Sequence, residues 1–168
     1  MGRVFIVLAM LVGTAPTAAV FAQEPIGCDK FKWPLDRERA LLASAEPVAS
    51  GSEIAQPLTR AVKLALSPLA EAKLPMEPSR KPKAPDSYAG YVRYAALARA
   101  ATYRITLSEP AWIDVVQNGQ ELKSAAFTGA LGCEGVRKSV KFDLAASPFL
   151  IEISAAAVRE IAIAVTPD

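Results

Sequence analysis

The sequence predicts a mostly β fold, an antiparallel β-sandwich or jelly roll of about eight strands with one short N-terminal helix. Three observations carry that expectation. Short runs of alternating apolar and polar residues recur from Gly90 onward with turn signals between them, Asn118-Gly119 lies between two extended runs, and no helix-period segment separates the later runs. Consecutive short strands joined by hairpin-length connections favour antiparallel pairing over a parallel α/β sheet. With 168 residues, 52% of them hydrophobic, the chain can bury one core or two small ones.

Residues 1–22 read as a secretory signal peptide: Arg3, an apolar run from Val4 to Val12, then small residues up to Val20-Phe21-Ala22. Gly13 and Pro16 break the run well short of the ~20 apolar residues of a membrane span, and no later segment supplies one. Cleavage is expected after Ala22, which places the protein in the periplasm or outside the cell. There the two cysteines, Cys28 and Cys133, are expected to pair, tying the N-terminal arm to the C-terminal half. Closing a loop of about 100 residues stabilises by roughly 4.7 kcal/mol on the chain-entropy account. Ile26-Gly27-Cys28 also has the outline of a lipobox end, which would lipidate Cys28 and strand Cys133; Pro25 and the polar Gln23-Glu24 do not suit that reading.

Most of the 13 prolines lie between Pro25 and Pro85, so residues 23–87 read as an irregular N-terminal arm. Within it, WPLDRERALLAS predicts a helix over 35–44. Pro34 suits the first turn, Asp36 and Glu38 favour the N-terminus, and Leu35, Leu42 and Ala43 form the apolar stripe. Val62, Leu64 and Leu66 alternate with polar Lys63, predicting a short strand over 61–67 between Pro57 and Pro68. Pro75 to Ser87, with Pro75, Pro78, Pro82, Pro85 and the basic group Arg80, Lys81 and Lys83, reads as an extended solvated connector or, alternatively, a site for an anionic partner.

Residues 88–168 are expected to form the sandwich core, with strands over 90–97, 102–108, 111–117, 120–128, 136–144, 148–154 and 159–166. Tyr103, Ile105 and Leu107 alternate with Thr102, Arg104 and Thr106. Asn118-Gly119 predicts a tight hairpin. Val136, Val140, Phe142 and Leu144 share a face, with Lys138 the exception, while Phe149, Ile151 and Ile153 form one row and Ile161, Ile163 and Val165 another.

Composition excludes more chemistry than it suggests. The chain has no histidine, which removes histidine-based triads, HExxH zinc sites and every imidazole-dependent metal centre; no SxxK or GxSxG stands in their place. No metal or cofactor is expected, and no Asp-rich loop has calcium-binding spacing. A balance of 19 basic against 17 acidic residues lacks the footprint of a nucleic-acid binder.

From Ala89-Gly90-Tyr91 through Tyr103-Arg104-Ile105-Thr106-Leu107 to Trp112-Ile113-Asp114-Val115-Val116, the C-terminal half resembles the pre-peptidase C-terminal domains, exported β-sandwich modules. The resemblance covers about 80 residues and implies an accessory or binding role, with Asp114 matching the aspartate of the family's apolar strand. The whole chain, CDKFKWPLDRE included, is similar to a group of small exported bacterial proteins, some of which carry a homogentisate 1,2-dioxygenase label. That activity needs iron held by two histidines and a carboxylate, which a chain without histidine does not offer.

The residues that could hold a ligand are Asp114, Trp112, Tyr91, Tyr94 and Arg104. Asp114 interrupts an apolar run, so its carboxylate is expected against Arg93 or Arg104, on a solvated face, or at a ligand. Trp112, Tyr88, Tyr91, Tyr94 and Phe127 are either core or the aromatic face of a sugar- or protein-binding module. Arg137, Lys138 and Lys141 could meet anionic envelope polymers. The leading expectation is a non-enzymatic module binding a protein or an envelope polysaccharide. Two alternatives stand beside it. One is a glycan hydrolase drawing two acids, about 5 to 9.5 Å apart, from Glu109, Asp114, Asp143 and Glu152. The other is a subunit whose free edge strand pairs with a larger partner.

Overall fold

Strict alternation produces the strands that carry the fold. The computed structural model describes residues 23–55, 58, 60–82 and 84–168; the expected signal peptide and Lys83 lie outside the described residues. One six-stranded sheet holds, numbered in chain order, β1 (Glu46–Val48), β3 (Val62–Ala65), β6 (Ala101–Leu107), β9 (Ala126–Gly129), β10 (Lys138–Leu144) and β12 (Glu160–Pro167), in the spatial order β1-β3-β12-β6-β10-β9. The second holds β2 (Glu53–Ile54), β5 (Tyr88–Tyr94), β7 (Trp112–Gln117), β8 (Gln120–Glu121) and β11 (Phe149–Ala156), in the order β2-β5-β11-β7-β8, with β4 (Ser67–Pro68) also on β5.

The two sheets face each other across one apolar layer. Tyr103, Ile105 and Leu107, Phe142 and Leu144, and Ile161, Ile163 and Val165 meet Val92, Val115, Ile151 and Ile153 there, all buried. Each such side chain contributes roughly 1.5–3 kcal/mol when removed from water. The β-sandwich expected from the alternation is the fold observed. Its long pairings are antiparallel, while β1 with β3 and β2 with β5 are parallel, so both sheets are mixed. Those parallel pairs sit at the outer edges and span only two or three residues, too short to leave an alternation signal.

Two expected strands divide between the sheets. The run 61–67 gives β3 to the first sheet and β4 to the second, turning at Leu66, whose N–H bonds to Arg159 O. The run 120–128 gives β8 to the second sheet and β9 to the first; Leu122 N–H still bonds to Val115 O, and by Ala125 the N–H bonds to Lys141 O across the gap. This second crossing leaves the sandwich open along one side. Asn118 and Gly119, with φ of 55° and 75°, close the expected hairpin in the left-handed region that this dipeptide tolerates.

Of the expected arm, residues 23–44 cover the outer face of the first sheet, whereas 46–68 supply β1 to β4 to the two sheets. Leu42 of helix α1 (Asp36–Ala43) and Leu35, which caps its N-terminus, are buried against Ala162 and Ala164 of β12. Ala43, expected on that stripe, is exposed, and Glu38 takes the buried place because its carboxylate accepts from Thr166 Oγ1 at 2.5 Å. Val136 precedes β10 and joins this outer cluster rather than the row of Val140 and Phe142. Cys28, in a 3-10 turn at Cys28–Lys30, and Cys133 form a disulfide, which occupies both thiols and leaves no Cys28 sulfur for a lipid. Among the described residues no helix is long and apolar enough to cross a membrane.

Candidate functional site

Where the chain crosses between sheets at 122–125, the open side forms a cleft of about 910 Å³. Its walls are inward residues of both sheets: Ile113 of β7, Val140 and Phe142 of β10, and Phe127 of β9, which is 62% exposed at the rim. This volume falls in the range of ligand sites, and apolar walls with a few convergent polar groups are their usual make-up.

Cations outnumber acids among the charged groups of the cleft. Arg80, Lys81, Lys123, Arg137 and Lys138 line the cleft against Glu24, Asp114 and Glu121. Arg137 is neutralised by Glu24 at 2.5 Å. Among the described residues Arg80, Lys81, Lys123 and Lys138 have no carboxylate within ion-pair distance. The Arg80 guanidinium and the Lys138 ammonium each lie 5.1 Å from the Trp112 ring centre, within cation–π range. Lys138 donates to Ala111 O at 3.0 Å. Burial is the main cause holding its ammonium below the usual lysine range, Arg137 and Arg80 push it further down, and Asp114 only partly opposes them. Ser87 Oγ, buried and without a hydrogen-bond partner among the described residues, also lines the cleft.

The connector reaches the cleft because two carboxylates anchor it. Asp114 and Glu152 are directly opposite on β7 and β11, on the outer face of the second sheet. Asp114 accepts from Ser79 N–H at 3.2 Å, from Ser79 Oγ, and from Trp112 Nε1 at 2.9 Å. Glu152 accepts from Met76 N–H at 2.9 Å, and its Oε2 is buried with no partner among the described residues. Burial, and next the neighbouring Asp114 charge, push the Glu152 carboxyl up, while the Met76 bond opposes the rise. As a directly opposed cross-strand pair, the two acids stand about 5 Å apart at Cβ. Asp114 lines the cleft, but Glu152 does not and is 1% exposed.

Asp114 and Trp112 are therefore brought together, and the other three candidates lie elsewhere. Tyr94 is in the core, stacked on Phe149 at 4.9 Å between ring centres. Tyr91 fixes the loop before β2: its carbonyl accepts from Gly51 N–H at 2.8 Å, and its ring carries the Arg93 guanidinium at 4.7 Å. Arg104, on the outer face of the first sheet, bonds to Asp168 at 2.7 Å and to Pro34 O at 3.1 Å. Neither Arg93 nor Arg104 is the partner of Asp114; both are engaged elsewhere, and the connector serine takes that role. Lys141 pairs with Asp168 at 2.7 Å, away from the cleft, and Asp143 accepts from Thr102 Oγ1 at 2.6 Å.

Ser79, Ser87, Leu122 and Lys123 were invisible as site residues in the sequence. Ser79 sits in a proline-rich stretch 35 positions from Asp114, and no local pattern encodes that contact. Among the described residues no group of three or more metal-ligating side chains is gathered. Comparison of the chain with protein-family models, with curated proteins and with solved structures finds no match in any of the three.

Proposed function

We propose that the protein is an exported, non-enzymatic β-sandwich module that receives an acidic stretch of another molecule, a protein or an envelope polymer, in the cleft between its sheets. The observation that carries this reading is the placement of Arg80 and Lys138 beside Trp112, over apolar walls, with no carboxylate paired to either among the described residues. An anion seated there would relieve the mutual repulsion of the cations, and the aromatic and aliphatic walls would add contact area. The leader-like sequence and the Cys28–Cys133 disulfide support an oxidising compartment, and the likeness of the C-terminal half to pre-peptidase C-terminal domains fits an accessory role. A hydrolase would need its second acid at the cleft, and Glu152 is committed beneath the connector.

The test is titration of the disulfide-bonded protein with oligogalacturonate and with a glutamate-rich peptide, followed by tryptophan fluorescence. At least one is expected to bind, more weakly as salt rises, and to lose about tenfold in affinity with Lys138→Glu or Arg80→Glu. Binding indifferent to both substitutions would overturn the cleft. Cleavage of the oligogalacturonate that disappears in Asp114→Asn would overturn the non-enzymatic assignment.

A further inference from the structure

The cleft runs along a strand edge that no strand covers. β8 pairs with β7 only at Val116 and Gln117, and Leu122 N–H adds one bond to Val115 O. Over Trp112–Asp114, β7 has no strand neighbour on this side among the described residues, although β11 covers the other side from Trp112 to Gln117. Backbone groups alternate in direction along an antiparallel ladder. Val115 and Gln117 turn theirs toward β8, so Ile113, two residues earlier, turns its N–H and C=O the same way, and Ile113 lines the cleft.

Free edges invite pairing, and proteins usually blunt them with proline, charge or a covering element. β7 has no proline or lysine, and its one charged residue, Asp114, is turned onto the outer face and bound to Ser79. Across the gap, β9 is flanked by the N-terminal arm through the Ile26–Leu131 bridge and the bond from Lys32 N–H to Thr128 Oγ1. The opening is therefore walled on both sides, with a backbone edge on one wall and apolar side chains behind it.

Resting on the anion-receiving reading above, we infer that the occupant is an extended acidic polypeptide segment of a partner protein, added as a strand to the Trp112–Asp114 edge of β7. Its apolar residues face Val140 and Phe142 between the sheets, and its alternating carboxylates, turned to the outer face, meet the Arg80 guanidinium over the Trp112 ring. A sugar polymer satisfies the cations but has no regular N–H and C=O series to complete the ladder; a polypeptide has both.

The probe is the blocked ten-residue peptide of alternating valine and glutamate, with two further versions N-methylated at every valine or at every glutamate, and oligogalacturonate as the anionic comparison. The disulfide-bonded protein is expected to bind the unmodified peptide, to protect the Ile113 amide from hydrogen exchange about tenfold, and to lose about tenfold in affinity for at least one N-methylated version. Binding of both N-methylated versions as tightly as the unmodified peptide, or an unprotected Ile113 amide in the complex, overturns strand addition. Binding of oligogalacturonate without binding of the peptide overturns it too, while leaving the anion-receiving cleft in place. If neither binds, both readings fall. Using the unaltered protein keeps the test independent of whether a proline at position 113 would fold.

Discussion

Glu152 is a carboxyl group that the fold stores in the wrong solvent. It is 1% exposed, one oxygen has no partner among the described residues, and Asp114 is its cross-strand neighbour. Its proton affinity is raised above the ordinary value of 4.5, so the folded state holds the proton to higher pH than the unfolded chain does. Stability from this group is therefore complete below about pH 4.5 and declines as pH climbs through the raised folded value. Glu152→Gln keeps an acceptor for Met76 N–H and cannot ionise. Thermal unfolding of both proteins from pH 4.5 to 8 is expected to give curves that meet at the acid end and separate upward in favour of the variant; a gap independent of pH would contradict the assignment. Asp168 works in the opposite sense and in another window. Hydrogen bonds from Lys141 and Arg104 hold its carboxyl below the ordinary 3.8, so what it contributes is lost only in stronger acid.

Among the elements, the connector changed most between sequence and structure. Its proline content reads as a solvated spacer, yet Met76 and Ser79 fasten it to two buried acids and so deliver Arg80 to Trp112. Removing the Asp114 carboxylate takes three hydrogen bonds to a charged acceptor with it. Asp114→Ala is expected to cost about 1.5–3 kcal/mol in urea unfolding and to speed tryptic cutting at Arg80; unchanged protease resistance would mean the connector is held by other contacts. The strands were legible because a sheet buried on one face repeats every two residues, as in Tyr103, Ile105, Leu107 and in Phe149, Ile151, Ile153. The Asn118-Gly119 hairpin was legible because few dipeptides reach positive φ cheaply. Edge strands such as Glu53–Ile54 are too short to show a period, and the break at 122–125 follows from where β9 finds a partner, which local sequence does not specify. Of the site, Trp112 and Asp114 stood out as an aromatic and an acid in an apolar strand. Tyr94, Tyr91 and Arg104 stood out for the same chemical reasons but serve the core, a loop and the α1 side.

At the scale of the molecule, one covalent bond and one sheet hold distant parts of the chain together. The Cys28–Cys133 bridge closes a separation of 105 positions and sits beside the outer cluster of Leu35, Val136 and Ala164. Replacing both cysteines by serine is expected to lower unfolding stability by about 2–5 kcal/mol, read by denaturant titration against the oxidised protein, and to free the arm from β9. Equal stability of the two forms would show that the Ile26–Leu131 bridge and the Lys32 bond suffice. The order β1-β3-β12-β6 adds a constraint in time: β12 follows every other strand among the described residues, yet it lies between β3 and β6 and pairs with both. Until residues 160–167 have been made, β3 has no antiparallel partner among the described residues and the edges of β3 and β6 that β12 fills remain open. Folding must therefore wait for the final strand, leaving an interval in which a chaperone could hold those edges, and every premature stop before residue 160 would produce a divided sheet rather than a smaller sandwich.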